Sequence, residues 1–398
     1  MKLTVFSHKL CWPSGDSPSG YATDGGFPMQ MRALSELFDQ TTLVVPVSDI
    51  GSKAGEMPIA GHNISVVPLS NPAGQGLRRK LSMIGWLFRN GWTILRQTLK
   101  SDAVHVPIPG DVGTIGMLLA WLFRKPLCVR YCGNWFIART AAEKFWQWFM
   151  VKTAGGRIVM LATGGDANPP STNNPNVRWI FSTSLTESEI AEHGQVRELY
   201  DARQARLIIV CRQERGKGTD VVIEALSKLS TEFPALKLDV AGDGDAIDHF
   251  KQLADEFDVS GRVSFHGKVN HDSVMKLLGQ ADLFCYPTGS EGFPKVVLEA
   301  MACGLPVITT RVSILPELVG NGSGKLLERA RPGELAEAIR ECLSDGAKYR
   351  AMSARAIATA SQYSLENWRE EIGSILCEAW GQELRRTGWK RASATRSL

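Results

Sequence analysis

Glu291 and Glu299, separated by seven residues, are the pair in this chain whose types and spacing point most directly to chemistry. They stand in Glu291-Gly292-Phe293-Pro294-Lys295-Val296-Val297-Leu298-Glu299-Ala300-Met301-Ala302-Cys303-Gly304-Leu305-Pro306. Pro294 suits a first helical position, and Gly304 followed by Pro306 suits a stop, so the spacing predicts a helix over 294–303. Glu291 then lies just before the helix and Glu299 on its second turn, roughly 8 Å further along the axis. Backbone N–H groups between the two acids can receive an anion. The carboxylates themselves accept hydrogen bonds from hydroxyl groups, so a diphosphate flanked by two hydroxyl-bearing rings matches the layout. A second cluster, Arg212 and Lys217, lies in Val210-Cys211-Arg212-Gln213-Glu214-Arg215-Gly216-Lys217-Gly218, after a strand and before a helix. Cations there stand at the carboxyl edge of a sheet, where phosphates bind in open α/β folds. Each charge-assisted bond would contribute about 1.5–3 kcal/mol.

The elements that must hold these groups are legible around them. Strands are predicted at 207–211, 236–241, 263–266, 283–286 and 307–309, alternating with helices near 219–230, 246–256, 272–279, 294–303 and 333–344. That rhythm is a doubly wound parallel α/β sheet. The first half repeats it less regularly, with strands at 3–7, 42–46, 65–68, 103–107 and 127–131 and helices at 27–38 and 114–123. The segment 187–204 is charged and precedes a fresh strand. We expect an N-terminal domain at 1–198, a second α/β domain at 199–365, and a terminal helix with a basic tail at 366–398 that packs back toward the N-terminal domain.

Composition narrows the class. The chain has 398 residues, 44% hydrophobic and 22% charged, enough for two domains with real cores and inconsistent with disorder or collagen. No apolar run approaches the roughly 18–20 residues of a membrane span. The opening Met1-Lys2-Leu3-Thr4-Val5-Phe6 reads as a buried strand rather than the start of a secretion signal. Eight cysteines without a Cys-x-x-Cys pair read as buried thiols of a reducing compartment, which places the protein in the cytoplasm. No metal-ligand spacing is present, and Asp243-Gly244-Asp245 reads as a turn. Gly216-x-Gly218 lacks the third glycine of a dinucleotide fingerprint.

Taken together, the acid pair, the Arg212…Lys217 loop, the Ala241-Gly242-Asp243-Gly244 turn, the Phe265-His266-Gly267-Lys268-Val269 loop and Leu315-Pro316-Glu317-Leu318-Val319 resemble the retaining glycosyltransferases of family 4, closely over about 205–345. The resemblance implies a GT-B fold, two Rossmann-like doubly wound domains facing a cleft. It implies transfer of a hexose-type sugar from a nucleotide diphosphate sugar with retention, without metal or other cofactor. In that family's pattern Glu291 contacts the donor sugar, Glu299 the ribose, and Arg212 and Lys217 the diphosphate. Gly292, Phe293, Pro294 and Lys295 complete the donor loop, and Gly267, Lys268 and Val269 line the base. Gly25 and Gly26 match a glycine loop of the N-terminal domain that approaches the phosphates. On the acceptor side the candidates are His105, Cys132 and Asn134. Cys132 stands where members of the family often carry a histidine. This departure keeps a second reading open, a non-catalytic subunit that binds nucleotide sugar and supports a partner enzyme. A phosphorylase of the same fold finds no lysine-cofactor signature here. The acceptor implied is a saccharide or lipid-linked saccharide in surface polysaccharide or glycoconjugate assembly.

The basic surplus lies in the first half, where residues 1–200 carry 19 Lys and Arg against 14 Asp and Glu. Residues 77–100 hold Arg78, Arg79, Lys80, Arg89, Arg96 and Lys100 and no acid. Leu77, Leu81, Ile84, Phe88, Trp92, Leu95 and Leu99 recur at helical spacing as one apolar stripe. Such a helix either lies on an anionic membrane, on the inner face of the cell membrane for a cytoplasmic protein, or packs on its own domain's core. Trp146, Trp148, Lys144, Lys152 and the tail Arg385, Arg386, Lys390 and Arg391 would reinforce membrane contact if they share its face. Nucleic acid is not an expected partner, because no binding motif accompanies the basic face.

Overall fold

The computed structural model describes residues 1–49, 56–72, 76–138, 140–166, 168–199, 201–381 and 384–385, with side chains from residue 82 onward in the helix that begins at Gly76. The chain divides into two units, Met1–Ser184 with Leu365–Leu398, and Leu185–Ser364.

The first unit is built on β1 (Lys2–Phe6), β2 (Trp12–Pro13), β3 (Tyr21–Thr23), α1 (Phe27–Ser35), β4 (Gln40–Val47), β5 (Met57–Pro58), β6 (Ile64–Ser70), α2 (Gly76–Lys100), β7 (Ala103–Ile108), α3 (Asp111–Leu122), β8 (Leu127–Tyr131), α4 (Ala141–Thr153), β9 (Ile158–Thr163) and β10 (Val177–Ile180). Seven strands form one sheet in the order β10-β9-β8-β7-β1-β4-β6, and each pair is parallel. Ala103–Ile108 and Leu127–Tyr131 are buried at every position, as strands covered on both faces are, and apart from His105 and Arg130 they are apolar. Chain direction across the sheet reverses between β1 and β7. β2, β3 and β5 form a small antiparallel sheet. The closing helix, Leu365–Trp380, belongs to this unit. Its Trp368 is fully buried beneath the Arg130 guanidinium, 5.3 Å from the ring centre. Its Arg369 pairs with Glu36.

The second unit contains α5 (Glu187–His193), β11 (Arg206–Val210), α6 (Thr219–Lys228), β12 (Lys237–Ala241), α7 (Ile247–Glu256), β13 (Val263–Gly267), α8 (His271–Gln280), β14 (Leu283–Tyr286), α9 (Lys295–Ala302), β15 (Val307–Thr310), α10 (Leu315–Val319), β16 (Gly324–Leu327), α11 (Pro332–Leu343) and α12 (Gly346–Gln362). Its six-stranded sheet has the order β13-β12-β11-β14-β15-β16, again parallel throughout. The direction of winding reverses between β11 and β14, so a crevice opens at their carboxyl ends.

The change of unit falls at Ser184/Leu185. The cause is Arg197, whose guanidinium donates to the carbonyls of Cys303 (2.7 Å), Ala281 (2.9 Å), Leu278 (3.1 Å) and Gly279 (3.0 Å) and so fixes the segment before β11 to the second unit. Among the described residues no helix is long and apolar enough to cross a membrane.

Candidate functional site

The two loops that leave β11 and β14 at the reversal point carry Arg212–Gly218 and Pro287–Pro294, and the structure brings Lys217 and Glu291 together there. Lys217 Nζ donates to Glu291 Oε1 at 2.5 Å and to the Ser290 carbonyl at 3.2 Å. The Tyr286 hydroxyl, at the end of β14, donates to the same Glu291 oxygen. Both members of the ion pair are largely shielded, 19% and 13% exposed. Burial raises the Tyr286 phenol well above its ordinary pKa, and the Glu291 charge adds to the effect, so Tyr286 stays a donor at all working pH values.

The β11 loop is shaped by its own backbone. Gly218 is left-handed, φ +94°, and a side-chain carbon there would lie 2.5 Å from the Pro287 carbonyl, so only glycine lets the two loops approach this closely. Gln213, fully buried, ties the loop down. Its amide nitrogen donates to the carbonyls of Cys211 and Ala241, both at 3.1 Å, while its oxygen accepts from the Thr219 hydroxyl at 2.8 Å. Arg212 lies on the same loop but points outward, 76% exposed and paired with Glu214 at 2.8 Å.

The predicted helix forms as α9, starting at Lys295; Pro294 is its cap rather than its first residue, and no side chain caps it. Gly304 supplies the left-handed stop at φ +71°. The Gly292 carbonyl accepts from Ser313 Oγ at 2.8 Å, and Phe293 packs near Tyr363. Glu299 is only 14% exposed. Burial pushes its carboxyl above the usual range, opposed by the charges of His271 and Lys295. His271, at the start of α8, lies between two acids, with Nε2 3.3 Å from Glu189 and Nδ1 3.9 Å from Glu299. The hydrogen bond with Glu189 raises its pKa, against burial and with help from Glu299. Burial raises the Glu189 carboxyl, but hydrogen bonds from His271 and Thr186 outweigh it and the net shift is downward. Gly267 ends β13 in a left-handed turn, φ +63°, with Lys268 exposed and Val269 half-buried beyond it. His266 instead serves the fold, bonding Asp239 at 2.7 Å.

In the first unit Gly25 is left-handed at φ +68° and Gly26 caps α1. His105 does not face solvent. It sits mid-strand in β7, 1% exposed, with Nδ1 3.1 Å from the Cys128 carbonyl. Burial, reinforced by the Arg130 charge, lowers its pKa to about 3, so it is a neutral core histidine without an open side for an acceptor. The exposed histidine at this sheet's carboxyl edge is His8, beside Gly110 where the winding reverses. Cys132 is exposed. Asn134 Oδ1 accepts from the backbone of Phe136 and Ile137 and shapes the β8–α4 loop.

Sequence reasoning missed Tyr286, Gln213 and His271. Tyr286 alone carried a usable signal, a phenol at the end of the strand that leads to Glu291.

Each unit is a parallel, doubly wound α/β sheet with its crevice at a reversal of strand order, the architecture of GT-B glycosyltransferase structures. Anabaena HepE in complex with UDP-glucose matches with a TM-score of 0.64 at 20% identity, over 95% of this chain and 100% of that one. Sucrose-phosphate synthase from Thermosynechococcus elongatus matches with a TM-score of 0.68 at 16% identity, over 96% and 99%. Residues 196–359, nearly all of the second unit, match the model of the family described as "Glycosyl transferases group 1". Over 174 residues the chain is 36% identical to the D-inositol 3-phosphate glycosyltransferase of Mycobacterium tuberculosis, 42% of this chain and 35% of that protein. Over 141 residues it is 28% identical to the phosphatidylinositol N-acetylglucosaminyltransferase gpi3 subunit of Schizosaccharomyces pombe, 35% and 30%. The chain thus spans about a third of the length of these curated relatives.

Proposed function

We propose that the protein is a retaining, metal-independent glycosyltransferase of the family 4 type, moving a hexose-type sugar from a nucleotide diphosphate sugar to a saccharide or lipid-linked saccharide in surface polysaccharide or glycoconjugate biosynthesis. The observation that carries the reading is the shielded Lys217–Glu291–Tyr286 cluster at the reversal point of the second sheet, beside the uncapped start of α9. In the free protein Lys217 and Glu291 neutralise each other. When donor binds, Lys217, Arg212 and the first N–H groups of α9 meet the diphosphate and offset the charge that builds as the sugar–phosphate bond breaks. Glu291, held in place by Tyr286, accepts hydrogen bonds from the sugar hydroxyls. Glu299, steadied by His271, does the same for the ribose, with 267–269 beside the base. Arg212 must swing away from Glu214, a small cost for a side chain so exposed.

Of the acceptor reading, only its lipid-borne part draws support from a relative's name, the one for phosphatidylinositol; the other relative's name gives D-inositol 3-phosphate, a cyclitol phosphate. Bilayer contact through 77–100 is supported by α2 in part, since Ile84, Phe88 and Trp92 are exposed; Leu77, Arg78, Arg79, Lys80 and Leu81 lie outside the described side chains. The same holds for Arg386, Lys390 and Arg391. The test is transfer of labelled sugar from UDP-, GDP- and ADP-sugars to an acceptor extract, abolished by Glu291→Gln.

A further inference from the structure

The α2 helix carries apolar side chains on both of its faces. Its inner face, which packs toward β6 and α3, carries Trp86, Asn90, Ile94 and Thr98, all buried. The polar groups on that face are satisfied within the unit. Asn90 Oδ1 accepts from Ser70 N at 3.1 Å and its amide donates to Ser70 Oγ at 2.7 Å. Trp86 Nε1 donates to the Ser70 carbonyl at 2.6 Å, and the Thr98 hydroxyl to the Ile94 carbonyl at 2.9 Å. The face turned to solvent also carries large apolar side chains, with Ile84 61%, Phe88 86% and Trp92 71% exposed between the cations. A helix that leaves such an apolar stripe open lacks part of its packing partner.

The feature continues across the layer. α2, α3 and α4 follow β6, β7 and β8 as successive crossovers moving in one direction, which puts them on one face of the sheet. α3 packs on α2, and Trp121 of α3 meets Phe149 of α4 edge-on at 6.2 Å. α3 leaves Trp121 and Leu122 exposed, and α4 leaves Phe145 and Trp148. Exposed cations accompany each helix, Arg89 and Arg96 on α2, Arg124 after α3, and Lys144 and Lys152 on α4. The acids of the same stretch are few and engaged near element ends. Asp102 accepts from Lys2 N, Glu143 forms the capping box of α4, and Asp111 lies in the first turn of α3.

We propose that the whole outer face of the α2–α3–α4 layer, not α2 alone, is a docking surface for an anionic lipid bilayer, with tryptophan and phenylalanine entering the headgroup boundary and the flanking cations meeting lipid phosphates. Charge decides the occupant. A second copy of this chain would bring cations against cations, whereas an anionic leaflet attracts such a surface, by about fivefold in binding per basic residue. The apolar side chains are also the types suited to a headgroup boundary. This proposal extends the bilayer contact suggested for 77–100 and does not depend on the donor chemistry.

The test is flotation of the full chain with vesicles of phosphatidylcholine alone and with 30% phosphatidylglycerol, for the wild type, Phe88→Glu/Trp92→Glu on α2, Phe145→Glu/Trp148→Glu on α4, and Lys144→Glu/Lys152→Glu. These side chains are exposed, so folding is expected to survive, and circular dichroism melting checks it. The wild type should float with anionic vesicles and much less with neutral ones. The α2 and α4 aromatic variants should each lose binding, and the α4 charge reversal should weaken it by about tenfold or more. Wild-type flotation of both α4 variants, with loss only in the α2 variant, would overturn the extended surface while leaving contact through 77–100 standing. Absence of wild-type binding to anionic vesicles would overturn both, and nucleotide-dependent thermal shifts would still report on the donor site separately.

Discussion

Lys217→Met removes one charge from the Lys217–Glu291 pair while keeping most of the length of the side chain. Glu291, 13% exposed, then loses its cation and keeps the Tyr286 hydroxyl bond. Removing one partner of a fully buried pair costs about 3–5 kcal/mol. Partial exposure and the remaining tyrosine bond reduce this to about 1–3 kcal/mol. At roughly 2–4 °C per kcal/mol for a unit of this size, melting should fall by about 2–12 °C. The same substitution deletes a charge-assisted bond to the donor diphosphate, about 1.5–3 kcal/mol, so nucleoside diphosphate binding should weaken by about 10- to 150-fold. The second variant, Lys217→Met with Glu291→Gln, separates the two effects. A glutamine oxygen still accepts from Tyr286 without leaving a charge stranded, so stability should return to within about 1 kcal/mol of wild type while binding stays weak. Calorimetric titration with whichever of UDP, GDP or ADP binds wild type best, alongside chemical denaturation, reads both quantities. Unchanged affinity in Lys217→Met, or affinity restored with stability in the double variant, would show that Lys217 only supports the loop.

Other consequences follow from the packing of the second unit. The folded pKa of His271 is raised, so its contribution to stability is full below the unfolded histidine pKa and fades as pH rises through the folded value. The melting temperature of wild type should therefore exceed that of His271→Gln most at pH 5–6 and converge with it on the alkaline side; parallel curves across pH 5–9 would refute the bridge between Glu189 and Glu299. Arg197→Met removes four donors from carbonyls of the α8 and α9 ends. It should cost about 3–5 kcal/mol in urea denaturation, and a loss under about 1 kcal/mol would contradict the anchoring role given to it.

The second sheet was legible because parallel strands buried on both faces read as short apolar runs between turn glycines. Leu283–Tyr286 is observed with the predicted ends, and Arg206–Val210 is displaced by one residue. β16 escaped because Gly324–Leu327 is short and mostly half-buried. In the first unit β9 and β10 escaped because the link between them is a long stretch of Asn, Pro and Gly, without the helix that marks a parallel crossover elsewhere. Lys217 and Glu291 were legible as members of one site, since each lies on a loop after an apolar strand. Their pairing was not, and neither were Gln213 and His271, because their partners are brought to them by the crossing of strands and helices distant in sequence. The face of α2 that packs inward was also hidden. Both sides of that helix carry apolar residues, and the choice rests on Asn90 and Trp86 finding Ser70 at the end of β6.

The central claim is tested most directly by incubating wild type and Glu291→Gln with UDP-, GDP- and ADP-linked labelled sugars in the presence of lipid and saccharide acceptor fractions, and following label into product. Wild type should transfer from one nucleotide class, and Glu291→Gln should transfer nothing while melting within a few degrees of wild type. Equal transfer by both proteins would remove Glu291 from the reaction. A wild type that binds a nucleotide sugar but transfers from none of them would contradict the enzyme reading and favour a non-catalytic donor-binding subunit.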